Sequence, residues 1–136
     1  MKVSELTGAQ LDYWMARAEG IPAENLTIRR VQRSTDCHVV RSVPVSVLGY
    51  PGLHQVAAEV MRYSTDWAQG GPLITRHRVS VGQEYDGECW ASILGHANVP
   101  ESDIGSMGST ELEAICRVVV RAAFGDDVDE VPVQPA

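Results

Sequence analysis

The sequence is poor in features that announce a chemistry. Its three cysteines, Cys37, Cys89 and Cys116, cannot all pair within the chain and show no Cys-x-x-Cys spacing, so neither a complete disulfide framework nor a paired-cysteine zinc or redox motif is expected. A reducing compartment such as the cytoplasm fits that usage. Met1-Lys2-Val3-Ser4-Glu5-Leu6 lacks the apolar core and cleavage site of a secretion signal, and no apolar stretch is long enough to span a bilayer. A basic surplus is missing too. With 11 Lys and Arg against 18 Asp and Glu the net charge is -7, which argues against broad nucleic-acid binding, because cations must displace the counterions of phosphate. No internal repeat is visible.

What is present suits one globular domain. The 136 residues are 44% hydrophobic, enough for a single buried core without metals or disulfides. Charge is unevenly spread: residues 1–79 carry nine basic against seven acidic side chains, and residues 80–136 carry two against eleven. The acidity therefore belongs to the C-terminal half.

Helical spacing of Leu11, Trp14, Met15 and Ala18 behind the capping-box pattern Thr7-Gly8-Ala9-Gln10 predicts a first helix over Gly8 to Glu19, stopped by Gly20 and Pro22. Trp14 reads as a core anchor. Alternation through Val39, Arg41, Val43, Val45 and Val47 predicts one or two strands between Leu26 and Leu48, with Pro44 marking an edge or an irregularity. Arg29, Arg30, Arg33 and Arg41 then read as the wet face of a sheet rather than an anion site.

After the turn formers Gly49-Tyr50-Pro51-Gly52, the residues Leu53, Val56, Ala57, Val60 and Met61 follow a helical stripe. Pro72 to His77 suits a helical turn, Val79 and Val81 a short strand ending at Gly82, and Cys89 to Leu94 a buried strand. Gly95 to Gly108 reads as an exposed loop. A last helix begins at the capping box Thr110-Glu111-Leu112-Glu113 and carries the apolar stripe Leu112, Ile115, Cys116, Val119 and Ala123, with Glu113 and Arg117 paired one turn apart. The run Asp126 to Glu130 reads as part of a solvated tail. These elements predict a single α+β domain over residues 1–125, in which a small, mainly antiparallel sheet lies between an N-terminal helix and a C-terminal helix packed on it, followed by an acidic tail over 126–136.

Three blocks carry a resemblance: Ser4-Glu5-Leu6-Thr7-Gly8 before the first helix, Ser64-Thr65-Asp66-Trp67-Ala68-Gln69-Gly70-Gly71-Pro72-Leu73-Ile74, and the final helix ending Phe124-Gly125-Asp126. In this order they resemble the NinX-like proteins of phages and prophages. The family's Gly-Pro-Thr-Pro-Leu lead-in to the last helix is here Gly108-Ser109-Thr110-Glu111-Leu112. The resemblance implies a phage or prophage origin and a bacterial host cytoplasm, and brings no activity or cofactor with it.

The segment around the Gly-Gly pair is the least generic in the chain. Tyr63, Asp66, Trp67, Gln69, Gly70 and Gly71 offer aromatic faces, a carboxylate, an amide and backbone N–H groups, the inventory of a small polar-ligand pocket. The same residues suit a structural turn with Trp67 buried and Asp66 capping, and that is the favoured reading, because a single Gly-Gly is weak evidence for phosphate binding. Cys89-Trp90 shares the cysteine-tryptophan step of papain-like proteases, but only His96 follows it, so a cysteine hydrolase ranks third. His38, His54, His77 and His96 lack metal-ligand spacing, and no metal is expected. The leading expectation is a non-catalytic accessory protein that binds a host or phage protein, with a nucleotide or small-metabolite binder as the alternative. No membrane and no nucleic-acid partner is expected, and a homo-oligomer stays open.

Overall fold

The computed structural model describes residues 1–47, 49–93 and 104–135, with side chains described for all of these except 42–47, 50 and 53–58. Helix α1, Gly8–Ala18, buries Leu11, Met15 and Ala16 and ends one residue short of the predicted boundary. Its start differs from the capping-box expectation: Thr7 is the N-cap, yet its side chain caps nothing. Gln10 turns away instead, donating through Nε2 to Val131 O at 2.8 Å and accepting from Val131 N–H at 3.0 Å. A primary amide offers one donor and one acceptor side, so it can pair with a peptide group as a neighbouring strand would.

Strands β1 (Leu26–Val31), β2 (Ser34–Val47) and β3 (Tyr50–Met61) form an antiparallel run of two hairpins. Burial alternates along β1, where Leu26 and Ile28 face the core while Arg30 is exposed and Arg29 half-buried. Arg41 is exposed as well, in keeping with a solvated face, whereas Arg33 is exposed in the β1–β2 turn and not on a strand. One expectation fails in this region and another holds. Leu53 to Met61 is strand, not helix: short apolar spacing fits either period, and the complete antiparallel register with β2 decides it. Pro44, opposite Leu53, lies beyond the stretch of β2 that pairs with β1, so it has β3 on one side only, as an edge position does, and the register shift falls between Val39 and Val40.

Beyond β3 come α2 (Trp67–Gly70), α3 (Pro72–His77) and strands β4 (Val79–Gln83), β5 (Cys89–Ile93) and β6 (Ile104–Gly108), which form a second, three-stranded antiparallel sheet in the order β4-β5-β6. The expected loop from Gly95 to Gly108 is thus a strand in its last five residues, while Leu94 to Asp103 lie outside the described residues. Alternation along β5 buries Cys89, Ala91 and Ile93. Helix α4, Glu111–Phe124, lies on this sheet and against α1, burying Leu112, Ala114, Ile115, Cys116, Val118, Val119 and Val120. Gly108 makes that packing possible, since a Cβ there would stand 2.6 Å from the backbone N of Ala114.

The molecule is a single small α+β domain with the expected N-terminal and C-terminal helices, but with two sheets where one was expected. Nor is the acidic C-terminal segment a free solvated strand of chain. Val128 is buried, Val128 O accepts a hydrogen bond from the N-terminal ammonium at 2.8 Å, and β7 (Val133–Gln134) pairs in parallel with β1. Trp14 is half-buried rather than a deep anchor. It donates from Nε1 to Asp129 O at 3.0 Å and meets Tyr13 and Phe124 edge to face, with ring centroids 5.3 and 5.2 Å away.

Candidate functional site

The corner between β3 and α3 is built by side chains that close on their own backbone. Asp66 sits at the N-cap of α2 in extended conformation and accepts from Ala68 N–H through Oδ1 at 2.9 Å. Gln69 pins the corner to the end of β3, accepting from Arg62 N–H at 2.6 Å and donating to Val60 O at 3.0 Å. Gly70 and Gly71 donate their N–H groups to Asp66 O and Trp67 O, each at 2.8 Å, so these groups are not open to an anion. Neither glycine has a positive φ. Gly70 is there for close approach: a Cβ would overlap the Tyr63 carbonyl oxygen and stand 2.6 Å from Leu112 Cδ2. Tyr63 is buried, which pushes its phenol up to about 12.

Trp67 behaves differently. It is 51% exposed, so it does not fill the core, and it forms one wall of a cavity of about 420 Å³. Ser64 and Thr65 continue that wall, Gln83 and Cys89 close the sheet end, and Ser109, Thr110, Glu111 and Leu112 bring in the start of α4. Of the six residues read as a ligand set, Trp67 alone lines the cavity; Tyr63, Asp66, Gln69, Gly70 and Gly71 build the corner that holds it. The remaining lining residues were hidden in sequence because their signals spoke of structure. Ser109 and Thr110 read as helix caps, and Cys89 as a buried strand residue.

The start of α4 does carry its cap. Thr110 Oγ1 accepts from Glu113 N–H at 3.1 Å, while Glu113 Oε1 accepts from Ser109 N–H at 3.1 Å and pairs with Arg117 at 3.1 Å. Glu111 is the one charged residue among the described residues lining the cavity. Below the wall, Ser64 N–H donates to Asp12 Oδ1 at 2.8 Å. Burial raises the Asp12 carboxyl from 3.8 to about 6, against the opposing pull of that N–H. The Ser64 hydroxyl adds to this pull, yet it is buried and reaches no partner in hydrogen-bond geometry.

Cys89 is 2% exposed, and its Sγ lies 3.9 Å from Gly87 O. No histidine is among the described residues lining the cavity. His77 pairs with Glu19 at 2.9 Å, His38 is half-buried on β2, and His96 and the His54 side chain lie outside the described residues. Among the described residues no three His, Cys, Asp or Glu side chains gather as metal ligands, and no helix is long and apolar enough to cross a membrane.

A larger cavity, about 580 Å³, opens between Lys2–Ser4, β6 and the outer face of α4. Its arginines are engaged in holding the fold: Arg117 donates to Leu6 O and Met107 O, and Arg121 to Asp126 and Gly105 O. They satisfy carbonyls of β6 and are not available to a ligand, whereas Lys2, which also lines this cavity, makes no side-chain hydrogen bond or ion pair among the described residues.

The family model described as Bacteriophage P22, NinX matches residues 2–122. The chain belongs to that family. The match to the NinX family takes in the whole cavity at Trp67 and also residues 27 to 60, which the three sequence blocks leave uncovered. It stops before the segment that returns from Asp126 to β1. A comparison with curated proteins finds no match.

Proposed function

We propose that this NinX-family protein is a non-catalytic phage or prophage accessory protein that acts in the bacterial host cytoplasm by binding, and that its binding site is the cavity at Trp67. A small polar ligand suits that cavity best. One observation carries this reading: a tryptophan side chain stands half in solvent on the wall of a cavity of about 420 Å³ lined mainly by hydroxyl, amide and apolar groups. That volume lies within the range of about 300–1,000 Å³ common for small-molecule sites, and a few polar groups on a largely apolar wall are their usual lining. Catalysis is disfavoured because the cavity thiol has no lining histidine beside it among the described residues.

A protein partner is the second reading. Tyr85, fully exposed on the β4–β5 turn two residues from the cavity residue Gln83, and the exposed face of Trp67 are the kind of aromatic groups that partners bury. Recovery of the tagged chain from phage-infected cells separates the two. Native mass spectrometry should find a small molecule that is absent from the Trp67→Ala chain. Stoichiometric capture of one protein through Trp67 and Tyr85, with no small molecule, would establish the second reading instead.

A further inference from the structure

The charge pattern of this cavity and its exposed indole narrow the ligand class, on the reading that the cavity is a binding site. An anion is poorly received. Among the described residues the lining contains no Lys or Arg, its one charged residue is Glu111, and the positive end of the α4 dipole already faces the carboxylates of Glu111 and Glu113. The corner glycines add nothing, since both N–H groups are bonded within the corner. What the wall does offer is a flat, half-exposed indole face, with the amide of Gln83 and the hydroxyl residues Ser109 and Thr110 on the same lining.

The geometry points to an uncharged heteroaromatic ring of the nucleobase class, stacked on Trp67, with any phosphate held outside the cavity. Stacking is tolerant of base identity because every base has a π face. Discrimination between bases would fall to the polar rim formed by Gln83, Ser109 and Thr110.

Calorimetric titration of the full chain tests this with four nucleosides, their 5′-monophosphates and inorganic phosphate, run beside a panel of non-aromatic polar metabolites. At least one nucleoside should bind, its monophosphate should bind no tighter, and phosphate alone should give no heat. Trp67→Ala should weaken the nucleoside at least about 10-fold, with circular dichroism reporting that the variant folds. Tighter monophosphate binding, or binding of phosphate alone, overturns the uncharged-ring inference. A non-aromatic metabolite that binds in place of every nucleoside, and is lost in Trp67→Ala, also overturns it while leaving the cavity as a binding site. Should nothing in the panel bind, both this inference and the small-ligand reading fall.

Discussion

Ser64 N–H and the Asp12 carboxylate meet at 2.8 Å across 52 residues of sequence, joining α1 to the turn that opens the candidate site. Asp12 is 4% exposed, so the contact holds a carboxyl where its charged form is poorly solvated, and burial lifts its pKa from 3.8 to about 6. In the folded state the proton is therefore retained to higher pH than in the unfolded chain. The resulting contribution to stability is fully present below about pH 4 and is lost as pH rises to about 6. Asp12→Asn keeps an acceptor for Ser64 N–H and removes the charge. Urea unfolding of both chains between pH 4 and 7 should show the wild type losing on the order of 3 kcal/mol relative to the variant. A difference between them that does not change with pH would contradict the shift.

Gly70 offers a test in which local propensity and packing disagree. In a helix, alanine is favoured over glycine by up to about 1 kcal/mol. Here a methyl group would overlap the Tyr63 carbonyl and crowd Leu112. Gly70→Ala should therefore destabilise by about 1–3 kcal/mol in chemical denaturation, and a gain in stability would show that the corner yields to the added carbon.

Ile115 is fully buried between α4 and its neighbours. Ile115→Ala should cost about 2–5 kcal/mol, read as a lower denaturant midpoint with unchanged slope. A loss within experimental error would place the α4 stripe outside the core.

Thiol labelling separates the three cysteines. Burial, aided by the Asp12 charge, pushes the Cys37 thiol up to about 12, and burial holds the Cys116 thiol well above its ordinary value. Both should stay unlabelled by iodoacetamide at pH 8 until urea unfolds the chain. Cys89 is also buried but lines the cavity, so it should label slowly and ahead of the other two. Labelling of Cys37 or Cys116 first would mean that the core opens more readily than the cavity admits reagent.

The sequence alone determined the elements whose information is local. Leu11, Met15, Leu112, Ile115 and Val119 recur at helical spacing, and a period of 3.6 maintained over three turns has no competing interpretation, so α1 and α4 could be read directly. The cap at Thr110 was legible for the same reason, because donor and acceptor lie three residues apart. Tertiary structure decided whatever depended on a distant partner. The apolar spacing from Leu53 to Met61 fits a helix until β2 supplies a full ladder of backbone hydrogen-bond partners. Gln10 suits a capping box until Val131, 121 residues away, offers a complete peptide group. Trp67 was legible as the notable side chain of its segment but not as a half-exposed one, since its burial depends on where the start of α4 lies. The cavity wall joins residues near positions 64, 83 and 110, and sequence periodicity carries no information about which chain segments close on one another once the two sheets and α4 have packed.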